Sequence, residues 1–207
     1  MCIRDRVKRT KLTEFASVRK NGLRAIVLND NEELISVKLT HGNSNILMAT
    51  RGGMAIHFSE QDVRVMGRVA HGVRGINLNV QDAVVAMDAI YDLESEVLTV
   101  TENGSGKRTK LSEYTKQIRG GKGRINYKLT EKTGLVAGMT IVKPNDELYI
   151  ITASGIIIRT NVDELSTISR NTQGVKAISL NEGDVVTAIA TVEAEENVVK
   201  DTETVSA

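Results

Sequence analysis

The sequence predicts an all-β fold: a propeller-like array of about four modules, each a blade of four short antiparallel strands. Glycines set the period. Gly53, Gly104 and Gly155 stand 51 residues apart, and Gly22, Gly72, Gly123 and Gly174 follow one another at gaps of 50, 51 and 51. Apolar residues keep the same step, as in Ile46, Val97 and Leu148, or Leu28, Leu78, Leu129 and Leu180. No stretch sustains the i, i+3, i+4, i+7 apolar spacing of an amphipathic helix. A repeat of this size marks stacked or radial modules, each too small to bury a core alone.

The chain opens on Met1-Cys2-Ile3-Arg4-Asp5-Arg6, which does not fit the repeat, so residues 1–6 read as a leader foreign to the array. The period asks for a glycine turn just before Lys8-Arg9-Thr10. None is there, and the chain reads as starting inside a module of something longer. The array is placed at 7–192, with modules at about 7–53, 54–104, 105–155 and 156–192. The clearest hairpin joins residues 147–152 to 156–160 through Ala153-Ser154-Gly155. Its counterparts turn at Asn103-Gly104 and Gly52-Gly53, where glycine supplies a positive φ. A polar stretch follows each hairpin. A third strand then follows the second glycine (73–78), and a fourth follows a polar turn (34–37, 84–87, 135–139, 185–189). Residues 10–15 and 161–165 are each long enough for one helical turn. With one proline in the chain, Pro144, glycine carries the punctuation. Radial closure would leave few naked sheet edges.

Bulk composition narrows the class. A hydrophobic share of 41% suits a folded chain, and an aromatic share of 3% leaves the core to Val, Ile, Leu and Ala. The single Cys2 excludes an internal disulfide framework and fits a reducing cytoplasm. No apolar run reaches membrane-spanning length, and no signal peptide is visible. The net charge of +1 is unevenly divided. Residues 193–207 hold five acids against Lys200, so the tail is −4 and the rest of the chain +5. The tail reads as a disordered, solvated end, or as a competitor for a polyanion held by the basic body.

Signals for enzyme chemistry fail one by one. Gly104-Ser105-Gly106-Lys107-Arg108-Thr109 resembles a phosphate loop, but Thr101 stands where the first glycine belongs and Arg108 follows the lysine. His41, His57 and His71 have no metal-ligand spacing with one another or with Cys2. His57 aligns with Arg108 and Arg159 and reads as a polar rim residue. No metal, cofactor or small-molecule substrate is expected.

Basic residues, in contrast, recur with the repeat. Lys8-Arg9, Lys107-Arg108 and Arg159 are equivalent, as are Arg68, Arg119 and Arg170, with Arg19 one residue out of register. Arg24, Arg74, Arg124 and Lys176 stand just after the module glycines, Arg124 one position early; Lys110 closes the third module's basic run. A cation repeated in each blade falls at one height on one rim, where it would meet the phosphates of duplex DNA. The alternative is that these residues cap strands or pair with acids. Gln117-Ile118-Arg119-Gly120-Gly121-Lys122-Gly123 has no equal in the other modules. It reads either as a flexible turn or as a loop whose bare backbone presses close to a phosphate.

Several of these strings resemble one known family. Val7-Lys8-Arg9-Thr10, Gly106-Lys107-Arg108-Thr109, Val65-Met66-Gly67-Arg68, Gly72-Val73-Arg74-Gly75-Ile76 and Ser169-Arg170-Asn171-Thr172-Gln173-Gly174-Val175 are similar to stretches of the C-terminal domain of the DNA gyrase A protein. Residues 117–123 look like that family's signature box, usually Gln-Arg-Arg-Gly-Gly-Lys-Gly, with Ile118 in place of an arginine. The resemblance implies a β-pinwheel, here the last four blades of a usual six, that wraps duplex DNA on a basic outer rim. It implies a non-catalytic module that serves negative supercoiling by a bacterial, chromosome-associated heterotetramer of gyrase A and gyrase B. ATP and Mg would be used elsewhere in that assembly. The family's catalytic tyrosine follows an arginine, whereas Tyr91, Tyr114, Tyr127 and Tyr149 follow Ile, Glu, Asn and Leu, so none is assigned that role. The rivals are the equivalent domain of topoisomerase IV and a propeller scaffold that binds proteins. A clean Gly-Gly-Lys-Gly favours gyrase over the first. The second would call for apolar or aromatic patches on the blade faces.

Overall fold

The protein is described here from a computed structural model that covers residues 1–17, 20–30 and 32–194. The acidic tail from 195 onward and Arg19 lie outside the described residues. The described backbone forms strands β1 (Cys2–Ile3), β2 (Arg6–Val7), β3 (Leu34–Ser36), β4 (Asn45–Thr50), β5 (Met54–Ser59), β6 (Val73–Arg74), β7 (Val84–Ile90), β8 (Glu96–Thr101), β9 (Ser105–Lys110), β10 (Arg124–Ile125), β11 (Val136–Val142), β12 (Glu147–Thr152), β13 (Ile157–Asn161), β14 (Val175–Lys176) and β15 (Val186–Val192). Single 3-10 turns at Leu12–Phe15, Glu60–Asp62, Leu111–Glu113 and Val162–Glu164 repeat with the blades, and the sequence had pointed to the first and last of these. Among the described residues no helix is long and apolar enough to cross a membrane.

The strands make four antiparallel sheets, ordered β3-β1-β2-β6, β10-β5-β4-β7, β11-β8-β9-β14 and β13-β12-β15. The strands β3, β7, β11 and β15 pack against one another in succession and form the inner edge of the array. The opposite edges, β6, β10 and β14, therefore face outward. Each outer strand belongs to the repeat that follows the sheet it completes: β6 pairs with β2, β10 with β5 and β14 with β9. The blades thus cut across the sequence modules, and consecutive blades are interlocked by an exchanged strand. The exchanged strands are two residues long, shorter than the 73–78 run read from sequence, because the chain then bends back inward.

One carbonyl anchors each exchange. The Gly53 oxygen accepts the amides of Asn126 and Tyr127 at 2.8 and 3.1 Å, and the Gly104 oxygen those of Ala177 and Ile178 at 2.9 and 3.1 Å. In the first blade the Asp5 oxygen accepts Gly75 and Ile76 at 2.7 and 3.3 Å. Residues 1–6, read as foreign to the repeat, thus supply a strand and the first hairpin turn. The turn lacks a glycine, and Arg4 takes φ 50° in its place.

The core lies between blades. Cys2, Val7, Ile46, Met48, Ile56, Phe58 and Met87 fill the first seam; Leu47, Ala49, Val97, Leu111 and Tyr114 the second; Leu98, Val100, Leu148, Ile150 and Leu165 the third. Neighbours on β4, such as Leu47 and Met48, enter different seams because successive side chains leave opposite faces of a strand. Sheets with a neighbour on each side are consequently buried on both faces, whereas β12 alternates between buried and half-buried positions.

Two glycines separate strain from crowding. Gly72 has φ 79° and a Cβ added there would sit 2.6 Å from the Val7 carbonyl oxygen; Gly155 has φ 85° with nothing within 4 Å. Gly155→Ala should cost about 1–2 kcal/mol for the left-handed backbone alone. Gly72→Ala should cost about 1–3 kcal/mol more, because it pushes the exchanged strand off β2. Urea unfolding of both variants tests this, and equal losses would contradict the interlocked seam.

Candidate nucleic-acid interface

The repeated cations divide into two groups, and the chemistry of each follows from its position. Arginines four residues before a module glycine act as braces between blades. Arg170 donates from Nη1 to the Ile125 carbonyl, Arg119 from Nη1 to the Arg74 carbonyl, and Arg68 from Nη1 to the Arg24 carbonyl at 3.4 Å. The three acceptors are themselves about one repeat apart, so each brace reaches back to the preceding repeat. Arg119 also donates through Nε to the Asp62 carbonyl at 3.1 Å.

Lysines stitch the exchange segments down. Lys107 on β9 is fully buried. Its Nζ donates to the carbonyls of Ser169 (2.9 Å), Arg170 (2.5 Å) and Thr172 (3.4 Å) and to Thr172 Oγ1 (3.2 Å), and lies 4.9 Å from the centre of the Tyr127 ring. Lys8, just after β2, is buried likewise and donates to the carbonyls of Ala25 (3.0 Å) and Arg68. Ile56 takes the same place on β5. Sequence reading had put Lys8 and Lys107 on the phosphate-facing rim. The structure moves them inside, because the exchanged segment leaves backbone carbonyls that need a buried donor.

The next residue in each repeat is also committed. Arg9 Nη1 lies 3.6 Å from Glu60 Oε2. Arg108 Nη1 meets Glu96 at 3.0 Å and Asp163 at 2.6 Å, while its Nε donates to the Leu165 carbonyl at 2.9 Å. Arg159 pairs with Glu147. His57, expected as a rim residue, is buried; its Nδ1 is 2.5 Å from the Tyr114 carbonyl oxygen and its Nε2 has no partner among the described residues. Burial lowers its pKa, the Tyr114 carbonyl opposes that shift, and Lys116 adds to it, so the imidazole is neutral at pH 7.

The second group faces water. Arg74 on β6, Arg124 on β10 and Lys176 on β14 are exposed on the outer strands of three consecutive blades. The Arg74 side chain is 62% exposed and makes a long ion pair with Asp5 at 3.9 Å; no partner of Arg124, Lys176 or Lys122 occurs among the described residues. Arg24 is also exposed, and Lys110 is exposed at the far end of β9 from Lys176.

Residues 117–123 form a pinned loop. Gln117 N donates to the His57 carbonyl at 2.7 Å, Gly120 N to the Gly75 carbonyl at 2.7 Å, and Gly121 O accepts Asn77 N at 2.9 Å. Gly120 and Gly123 take φ 82° and 77°, and a Cβ on Gly123 would lie 2.4 Å from the Ala55 oxygen. The Gly120 amide is therefore spent within the protein, and Arg119 is turned to its two carbonyls. What the loop offers outward is Lys122 and the 87%-exposed Ile118.

Sequence reading passed over Arg64, Lys116 and Lys128, exposed on the same outer segments, because they do not recur with the period. It also passed over Glu60, whose buried carboxylate accepts Thr40 Oγ1 at 2.6 Å and Ser44 N at 2.7 Å.

Four interlocked blades with an outer edge of exposed cations define a β-pinwheel domain. The chain belongs to the DNA gyrase A C-terminal domain family. It matches the family described as DNA gyrase C-terminal domain, beta-propeller, over residues 4–41, 44–90, 95–143 and 146–193. It is 45% identical over 186 residues to the DNA gyrase A protein of Haloquadratum walsbyi, a match that covers 89% of this chain and 22% of that one. It is 43% identical over 192 residues to the DNA gyrase A protein of Staphylococcus epidermidis, covering 92% and 22%. The chain thus spans about a fifth of the length of these relatives. Among solved structures, the C-terminal domain of DNA topoisomerase IV superposes with a TM-score of 0.88 at 27% identity, covering 94% of this chain and 61% of that one. The DNA gyrase A C-terminal domain superposes with a TM-score of 0.81 at 25% identity, covering 91% and 64%.

Lys107 gives the stitched design a pH signature. Burial lowers its pKa from 10.5 to about 8, with Glu113 opposing the shift and Arg170 adding to it. Between those values the folded chain holds fewer protons than the unfolded one, so this group's contribution to stability rises with pH from about 8 to 10.5 and is least below 8. The unfolding free energy of the parent minus that of Lys107→Met should therefore climb across that window, by at most about 1.4 kcal/mol per pH unit. Chemical unfolding at stepped pH reads this, and a flat or falling difference would overturn the burial of the charged amine.

Proposed function

We propose that this chain is a non-catalytic DNA-binding domain that bends duplex DNA along its outer edge. One observation carries the reading: Arg74, Arg124 and Lys176 stand exposed on the outer strands of consecutive blades, with Lys122 beside them. Phosphates along a duplex meet such a track and release counterions. No base-reading element accompanies it among the described residues, so the contacts of this track position the duplex without reading its sequence. Bending 20–30 bp by 40–90° costs about 1–6 kcal/mol, which contacts from several blades together must offset. In the parent protein the domain would serve ATP-dependent negative supercoiling by gyrase A and gyrase B in the bacterial cytoplasm. The catalytic tyrosine, ATP and Mg would belong to other parts of that assembly.

The pinwheel of topoisomerase IV is the near alternative. Its structure superposes well, but the sequence matches of 43–45% are to gyrase A proteins and support the gyrase reading. A protein-binding scaffold has one observation in its favour, the exposed Leu39, Tyr91 and Leu93 near the ends of the first two inner strands.

The DNA reading predicts that the combined variant Lys122→Glu, Arg124→Glu and Lys176→Glu binds a 40-base-pair duplex more weakly. It also predicts that the slope of log affinity against log salt flattens by about 0.9 for each phosphate no longer neutralised. Lys107→Met should leave affinity within about twofold, since its Nζ does not reach the rim. Fluorescence anisotropy at several salt concentrations measures both, and an unchanged slope in the combined variant refutes the track.

A further inference from the structure

The inner strands carry a polar chain that the DNA-facing rim does not use. Lys38, Asp88, Thr140 and Ala190 occupy the same place in successive blades, just beyond β3 and on β7, β11 and β15. Asp88 is 94% buried, with 6% of its surface exposed. Its Oδ1 lies 2.9 Å from Lys38 Nζ of the first blade. Its Oδ2 accepts Thr140 Oγ1 at 3.0 Å and the Ile141 amide at 3.1 Å, both from the third blade. One carboxylate therefore holds three consecutive blades. A second link, Ser36 Oγ donating to the Met87 carbonyl at 2.9 Å, ties the first two blades only.

The last seam lacks this chemistry. Ala190 offers no polar group, and Ile189 packs against the bare backbone of Gly138, where an added Cβ would lie 2.7 Å from Ile189 Cγ1. Van der Waals contact of this kind tolerates small slides, whereas a buried carboxylate with four donors (Lys38, Thr140 and the amides of Ile141 and Ala89) tolerates few, because each lost donor leaves a desolvated oxygen under-satisfied. Along the inner strands a side-chain carboxylate therefore links the first two seams, whereas the third has packing there and its side-chain ion pair, Arg108 with Asp163 at 2.6 Å, lies away from the inner strands.

We infer that Asp88 is a positioning residue that sets the angle between the first three blades, and through it the path that bound DNA must follow; the second clause rests on the DNA reading above. The carboxylate lies on the inner strand β7, at the opposite edge of its sheet from the outer strand β10. It acts by fixing how far each outer edge is rotated from the one before. Two single variants separate the seams. Lys38→Met loosens the first while leaving Thr140 and Ile141 on Asp88, and Thr140→Val loosens the second while leaving Lys38.

The test uses spin labels on the full 207-residue chain, at Thr13, Gln61 and Ser112, which are exposed and sit in the 3-10 turns of three successive blades. Cys2 is fully buried and burial pushes its thiol up to about 12, so it does not compete for label. Pairwise distance distributions by pulsed electron resonance should be narrow in the parent. Asp88→Asn, which keeps the shape, should broaden or shift both the 13–61 and 61–112 distances. Lys38→Met should change the first only and Thr140→Val the second only, with far-ultraviolet dichroism unchanged. Distances that stay narrow and unmoved in Asp88→Asn overturn the inference, whatever DNA does. On nicked plasmid sealed in the presence of the domain, Asp88→Asn should lower the linking-number change at equal bound protein. A parent domain that changes linking number not at all, with the distances behaving as stated, upholds the angle and sinks the DNA path.

Discussion

The exchanged strand is the constraint on which this protein depends. A two-residue strand with one doubly accepting carbonyl at its root is a small piece of structure, yet it decides where every other group goes. Because the strand leaves its own repeat, no blade is complete alone, and the apolar seams form only between neighbours. The exchange also carries a length of chain across each seam, which exposes carbonyls in a region that water cannot reach. Lys8 and Lys107 meet that demand with their ammonium groups. A lysine suits the task because its three donors rotate on a flexible stem and can serve carbonyls that point in different directions.

Recurrence of a charge is therefore ambiguous, and burial resolves it. Arg68, Arg119 and Arg170 recur because each seam needs a guanidinium on a carbonyl of the preceding repeat. Arg74, Arg124 and Lys176 recur because each outer strand ends the sheet and faces water. The two series differ by only five or six residues along the chain. One side chain turns back over the seam and the other leaves the edge. Pinning of the 117–123 loop follows the same logic: its glycines allow close backbone approach to Ala55 and Gly75, and Lys122 is its one cation left pointed at solvent.

Much of the fold was legible in the sequence, and the reasons are local. Gly53, Gly104 and Gly155 announce hairpins because they take left-handed φ, and the flanking β-branched runs announce strands. The first hairpin was hidden because Arg4 adopts that conformation without being glycine. The exchange was also hidden, since pairing partners a repeat apart leave no mark on composition. The site was half legible. Periodicity found Arg74, Arg124 and Lys176, but it could not distinguish them from Lys8, Lys107 or Arg108, whose partners are backbone carbonyls or acids from distant segments. Asp88 went unnoticed because Lys38, Asp88, Thr140 and Ala190 share a position without sharing a chemistry.

The division between stitching and solvent-facing cations, and the proposal that DNA meets the latter, are tested most directly by the reactivity of lysine amines toward a water-soluble acylating reagent, mapped by mass spectrometry with and without duplex DNA. The account predicts that Lys122 and Lys176 react readily in the free chain and are shielded by DNA, while Lys8 and Lys107 stay inert in both states. Ready labelling of Lys107 in the folded chain, or unshielded Lys122 and Lys176 in the complex, would contradict it.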